Sequence, residues 1–308
     1  MPTAMTSRTP RVSKTSSLTF DRVGSRIEGH GAPVVLLHSS MSSKGQWRKL
    51  IQRMRDRHRL IAIDLHGYGE TSLTRSADCF TLNDEVRLVE SVLTSALQTG
   101  ERFHLVGHSY GGVVALQLAQ EQPQRVRSLS LFEPISFHLL PDRDPGLAEL
   151  HSLRRQVEAS LKIDDACGGA ACFIDYWSGR GTFSQMPENR RAAMCRLLPK
   201  TALEFQAVAR EALRGDAYRR IVAPTCLIAG RWSPRPAHAA ISILAGLLPH
   251  ARQHQVAAGH MAPVTHPALV NPIIERFIRT VDGAVTPGER WNALLGETNR
   301  PRTPALCP

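Results

Sequence analysis

FHLVGHSYGGVVALQLAQ, residues 103–120, changes character twice within eighteen positions. Residues 103–108 form a short apolar run of strand type, Gly107, Ser109 and Gly111 break it, and an apolar helical pattern follows. A serine on so sharp a strand-to-helix turn takes a strained backbone conformation, and the flanking glycines let strand and helix approach closely enough to permit it. Its hydroxyl then projects from the edge of a sheet, while the helix N-terminus offers backbone N–H groups to a developing negative charge. As a bare pattern G-x-S-x-G is weak; between a strand and a helix it is strong.

Outward from this stretch, short apolar runs alternate with helical patterns. Strand candidates are 33–38, 59–64, 103–108, 126–133, 225–230 and 251–256. Helices are expected near 46–55, from Thr81 as cap to about 98, and from Pro267 to about 280, each with apolar residues recurring on one face. The alternation predicts an α/β fold with a mostly parallel sheet. From 134 to about 220 the strand signal disappears, and helical segments, prolines and glycine-rich turns replace it. An insertion of that size between two strands would lie over one edge of the sheet as a lid.

The bulk numbers narrow the function classes. The chain has 308 residues and a net charge of +11, with the 38 Lys and Arg residues spread along it. Without a basic block, nucleic acid is not an expected partner. No apolar run approaches the roughly 18 to 20 residues that span a bilayer, and no signal peptide is evident, so a soluble, cytoplasmic chain without membrane insertion is expected. Six cysteines at 79, 167, 172, 195, 226 and 307 include no C-x-x-C pair, and are read as structural or incidental thiols in a reducing compartment. The His and Cys positions lack ligand spacing and no phosphate-binding or dinucleotide fingerprint occurs, so no metal and no cofactor is expected. The expected partner is a small-molecule substrate; homo-oligomerisation is left open. Residues 1–17 read as a disordered basic tail and 282–308 as a C-terminal tail with a helical turn near Trp291.

With the serine turn, three further stretches, VVLLHSSMSSKGQW, AIDLHGYGETS and VAAGHMAPVTHP, make the chain resemble the α/β-hydrolase superfamily over roughly residues 18–280. The resemblance implies an α/β-hydrolase fold with an eight-stranded, mostly parallel sheet and a helical cap inserted after the sixth strand. It divides the chain into a core of 18–133 and 221–281 and a cap of 134–220.

A serine hydroxyl is a poor nucleophile at neutral pH unless a base removes its proton. Among thirteen histidines, His260, in AAGHMAP between the last strand and the last helix, stands where the family keeps its base. His66, His104 and His108 have weaker claims, His108 because its side chain is expected to point away from the turn, and His266 reads as a helix-start residue. The oxyanion needs two donors. The backbone N–H of Tyr110 is one; the loop His38-Ser39-Ser40-Met41 supplies the other, assigned to Ser40, with Ser39 and Met41 as alternatives. Relatives usually read His-Gly where this chain reads His38-Ser39.

The third member is a carboxylate that holds the imidazole. Relatives usually supply it after the strand 225–230, at a position occupied here by Ser233, and no Asp or Glu occurs from 217 to 274. The other strand end that can reach the same histidine carries Glu133, a position that certain haloalkane dehalogenases of the family use. Glu133 is therefore the expected acid; Asp64 is expected to be structural.

A serine at the turn disfavours the alkyl-ester chemistry of dehalogenases and epoxide hydrolases, which use an aspartate there. The expected activity is hydrolysis of a carboxylic ester through an acyl-Ser109 intermediate, on a small to medium apolar or aryl substrate held by Phe137, Phe173, Trp177 and Phe183, with Tyr176 also in the cap. Alternatives are carbon–carbon bond hydrolysis or cofactor-free perhydrolase or haloperoxidase chemistry on the same triad, and a non-catalytic ligand-binding protein. Arg180 and Arg231 are candidates for a substrate carboxylate.

Overall fold

A computed structural model describes residues 23–73, 80–211 and 215–283. In chain order the elements are β1 (Ser25–Glu28), β2 (Ala32–Leu37), α1 (Arg48–Met54), β3 (His58–Ile63), α2 (Leu82–Ala96), β4 (Phe103–His108), α3 (Tyr110–Glu121) and β5 (Val126–Phe132). There follow α4 (Pro145–Lys162), α5 (Ala166–Ser178), α6 (Glu188–Ala209), α7 (Gly215–Arg219), β6 (Thr225–Gly230), α8 (Arg235–Leu247), β7 (Ala251–Val256), α9 (Ala262–Thr265) and α10 (Pro267–Asp282). The expected tail at 1–17, all of the expected tail at 282–308 beyond residue 283, including Trp291 and Cys307, and Cys79 lie outside the described residues, while Asp282 ends α10.

The strands form one sheet in the order β1-β3-β2-β4-β5-β6-β7; β1 runs antiparallel to β3 and all other pairs are parallel. The described residues thus supply seven strands where eight are expected, and the helical insertion follows the fifth of them. All six strands anticipated from apolar runs are present. β1 is invisible to hydrophobic patterning because it is a four-residue edge strand with three exposed residues.

Alternation along the strands sorts the core. Val35, Leu37, Ile61, Ile63, Leu105, Leu129 and Leu131 pack beneath α2, α3 and α8. Val34, Leu36, Leu60, Ala62, Val106 and Phe132 face α1 and α10 on the other side. Both faces are covered, which is why these strands read as continuous apolar runs.

From β2 the chain moves outward to β3, then crosses to β4 on the other side of β2. This switch point opens a crevice at the carboxyl ends of β2 and β4, where ligands bind in open α/β sheets. The loop after β2 and Ser109 after β4 border it, joined by a hydrogen bond from Gly111 N–H to His38 O of 3.1 Å.

Among the described residues no strand lies between β5 and β6. Asp144 caps α4 by accepting from Gly146 N–H, and Asp165 caps α5 by accepting from Gly168 N–H. α4 packs on α5, and α5 on α6. One expectation is corrected in these helices: Cys167 of α5 and Cys195 of α6 form a disulfide, so the cysteines are not all free thiols. Their 28-residue separation carries no motif; only the packing of α5 on α6 brings the two Cα atoms to 4.6 Å. Cys172 and Cys226 are free. No helix among the described residues is long and apolar enough to cross a membrane.

Candidate active site

Ser109 sits at φ 55°, ψ −116°, a conformation that side chains rarely adopt. Two glycines make it sterically feasible. A Cβ on Gly107 would lie 2.6 Å from Gly111 O and 2.7 Å from Gly112 Cα; one on Gly111 would lie 2.4 Å from His38 O. The turn is held by Ser109 N–H donating to Phe132 O at 2.9 Å, and Ser109 itself is 5% exposed.

His260, in the loop between β7 and α9, meets this serine: Nε2 is 3.0 Å from Ser109 Oγ. Its Nδ1 is 2.7 Å from Glu133 Oε2. A carboxylate only accepts, so Nδ1 carries the proton and Nε2 presents its lone pair to the serine hydroxyl. Glu133 is fully buried directly after β5, itself at positive φ of 43°. Its second oxygen, Oε1, accepts from Gly230 N–H at 2.7 Å. The end of β6, where a relative's acid would stand, thus contributes a backbone donor that orients the glutamate.

The His108 ring leaves the serine but does not leave the site. It lies 5.2 Å from the His260 ring, and its Nε2 donates to His260 O at 2.9 Å. Burial keeps it uncharged by driving its pKa well below the ordinary histidine value, and the nearby His260 adds to the effect. His104 lies elsewhere, bonded to Ser128 and Asp282, and His266 stands at the start of α10 with its ring bonded to Thr265.

The loop after β2 is built on His38 and Asp64. His38 Nε2 accepts from Leu65 N–H at 3.0 Å and Nδ1 donates to Ser39 O at 2.7 Å. Burial pushes its pKa down to about 4, so it stays neutral. Asp64 accepts from the backbone N–H groups of Lys44 and Glu70 and from Lys44 Nζ, a loop-holding role. Of the loop's own donors, Ser39 N–H is bonded to Gln46 Oε1, and the Met41 N–H meets the Tyr68 hydroxyl. Ser40, which reaches the same cavity as Ser109, keeps its N–H unused by any described backbone acceptor, as does Tyr110.

That cavity is lined by Ile135, Phe137, Phe173, Trp177 and Phe205, with Ser40, Ser109, Thr201 and Glu204. About 280 Å³ of non-protein space lies in it, open solvent at its mouth included, but a water-sized sphere has only ≈ 20 Å³ in which its centre can move. That is close to the room one water needs. Trp177 closes it, its ring 4.3 Å from that of His260, with Phe137 stacked behind it. Phe183, expected in this pocket, belongs instead to an apolar cluster inside the inserted helices; its place in a turn after α5 points it into their packing. Tyr176 donates to Glu149, and Arg180 and Arg231 are exposed and do not line the cavity.

Sequence reasoning missed Phe205, Ile135, Thr201 and Glu204. Glu204 follows Lys200 by four residues, which reads as an ordinary solvated helix pair. In the structure both are buried, at 3% exposure each, and Lys200 Nζ also pairs with Glu85 at 3.1 Å. Among the described residues no group of three or more His, Cys, Asp or Glu is placed to hold a metal ion.

Comparison with known proteins agrees with this architecture. Residues 34–273 match the model of the alpha/beta hydrolase family. A haloalkane dehalogenase of Agrobacterium fabrum is 36% identical over 135 residues, 40% of this chain and 43% of that enzyme, so this chain matches less than half of the relative's length. A pimeloyl-[acyl-carrier protein] methyl ester esterase of Aeromonas hydrophila is 26% identical over 261 residues, covering 81% of this chain and 96% of the esterase. Among solved structures, a thermophilic esterase from Thermogutta terrifontis superposes with a TM-score of 0.69 over 84% of this chain and 93% of that one, at 22% identity.

Proposed function

The chain belongs to the alpha/beta hydrolase family, and from that premise we propose that it is a serine hydrolase acting on small carboxylic esters through an acyl-Ser109 intermediate. The observation that carries this reading is the continuous hydrogen-bonded row Ser109–His260–Glu133, at 3.0 and 2.7 Å. Each member does one task. Ser109 Oγ attacks the carbonyl carbon as its proton passes to His260 Nε2; Glu133 steadies the resulting imidazolium. The oxyanion lies between the N–H groups of Ser40 and Tyr110, the latter at the N-terminus of α3. As the carbonyl re-forms, the alcohol departs with the proton from Nε2. Water then attacks the acyl-enzyme with His260 as base, and the acid leaves as Ser109 recovers its proton.

A serine at the turn, in place of an aspartate, separates this reading from the activity of the dehalogenase relative. The inserted helices serve as a cap whose aromatic side chains set acyl size. Exposure of Arg180 and Arg231 away from the cavity removes the support for a carbon–carbon hydrolase that binds a carboxylate there. The test is hydrolysis of p-nitrophenyl acetate and butyrate by wild type and Ser109→Ala, together with labelling by a fluorophosphonate. Turnover and labelling that both vanish in the variant are expected; turnover that survives Ser109→Ala refutes the reading.

A further inference from the structure

Beneath the Ser40 loop lies a buried cluster with more negative than positive groups. Lys200 Nζ is 3.1 Å from Glu85 Oε1 and 2.9 Å from Glu204 Oε1, and it lies over the rings of Tyr68, Phe80 and Tyr110 at 4.6 to 5.0 Å. Glu85 is already sufficient to balance Lys200, and it also accepts from His66 N–H. The neighbouring His38 is neutral and contributes no charge. Glu204 is therefore a surplus carboxylate, and burying one is unfavourable unless something meets it.

Its position shows where that something would come from. Glu204 lines the cavity of Ser109, and its Oε2 is buried without a hydrogen-bond partner among the described residues. Burial dominates and raises its pKa, although Lys200 and the hydroxyls of Ser40 and Tyr68, which also interact with the carboxylate, favour its charge. All the other large side chains of the cavity are apolar. A hydrocarbon occupant would leave Oε2 unmet; an occupant with a donor would complete it.

We propose that Glu204 is the specificity-determining residue of this pocket, selecting ester substrates whose small group inside the cavity carries a hydrogen-bond donor, a hydroxyl or an ammonium, directed at Oε2. The inference rests on the serine-hydrolase reading for the position of the carbonyl, and it narrows the substrate from a plain apolar ester to a donor-bearing one. A site built around a buried polar group rejects the analogue that leaves it unpaired, which is how one oxygen can discriminate among molecules of equal size.

The experiment compares methyl butyrate, methyl 3-hydroxybutyrate and methyl 3-aminobutyrate by acid release with the full chain as wild type, Glu204→Gln and Glu204→Leu, and p-nitrophenyl acetate as the control for hydrolase activity. In wild type, kcat/KM for at least one donor-bearing ester exceeds that for methyl butyrate by about 10- to 100-fold. In Glu204→Leu the ratio falls to about one. Glu204→Gln keeps a carbonyl acceptor but no charge, so a hydroxyl preference survives it and an ammonium preference does not. Glu85 still balances Lys200 in both variants, and circular dichroism verifies folding. Equal kcat/KM on all three methyl esters, with p-nitrophenyl acetate still hydrolysed through Ser109, overturns the role of Glu204 and leaves the hydrolase reading standing. If p-nitrophenyl acetate is not hydrolysed, that reading falls instead, and quenching of the tryptophan fluorescence that Trp177→Phe removes, by 3-hydroxybutyrate, 3-aminobutyrate and butyrate, decides Glu204: tighter binding of a donor-bearing acid supports it, equal binding overturns it.

Discussion

Glu133 Oε2 lies 2.7 Å from His260 Nδ1 across 127 residues of chain, arriving from the end of β5 while the end of β6 gives only a backbone N–H to the same carboxylate. The carboxylate is pinned from two sides, which fixes the imidazole tautomer that a base toward Ser109 requires.

Replacing Glu133 by Gln keeps the shape but allows an amide NH2 to face Nδ1, favouring the wrong tautomer. We expect kcat on p-nitrophenyl acetate to fall by about 10²- to 10⁴-fold, with the thermal midpoint shifted by only a few degrees. A loss under about threefold would remove Glu133 from the proposed triad.

Trp177 lies against His260 and narrows the cavity. Trp177→Ala should shift preference from acetate toward octanoate esters, because space replaces the indole. It should also destabilise the protein by about 3 kcal/mol, as expected for a buried aromatic. An unchanged chain-length profile in a folded variant would show that this ring does not limit the acyl group.

Gly111→Ala introduces a methyl 2.4 Å from His38 O and 2.5 Å from Leu37 O, both backbone atoms that cannot swing aside. The end of β2 must move, and with it the proposed Ser40 donor. The expected outcome is a stability loss of about 1–3 kcal/mol and a kcat that falls more than KM rises. Wild-type kcat and melting temperature in Gly111→Ala would refute the close-approach argument.

Three buried histidines make the fold acid-sensitive. Burial lowers the pKa of His38 to about 4, and lowers those of His104 and His108 as well. A histidine whose folded pKa lies below its unfolded value binds its proton preferentially in the unfolded chain. Stability is then complete above about pH 6.5 and declines as pH falls toward the folded values, by up to about 1.4 kcal/mol per pH unit for each such group. Burial raises the pKa of Asp282, but hydrogen bonds from His104 and His58 and the charge of Arg127 outweigh it and leave the net value depressed. Its contribution is lost only below about pH 4. Urea midpoints measured at pH 7.5, 6.5 and 5.5 should therefore drop between the last two; a flat series contradicts the assignment.

Much of this is legible in the sequence. The five buried strands β2 to β6 announce themselves as apolar runs because both faces of the sheet are covered there, whereas β7 is mostly polar and exposed; the serine turn announces itself because only glycine fits at Gly107 and Gly111. β1 was hidden by its exposure, and the Cys167–Cys195 bond by the absence of any spacing rule for two helices that happen to pack. Phe183 and Phe205 look alike on paper, and only the packing of α5 and α6 decides which one reaches Ser109.

What the sequence by itself determined is the α/β layering, the Ser109 turn and the absence of any acid from residue 217 to 274, since these follow from local sterics, periodicity and composition. Only the tertiary structure decided that Gly230 holds Glu133 against His260, that His108 supports that loop, and that the Lys200–Glu204 helix pair is buried with one oxygen unmet in the cavity. The reason is physical. Distances between side chains 97 to 152 residues apart depend on how strands and helices are stacked, and a charged pair four residues apart on a helix reads the same whether its face meets water or a core.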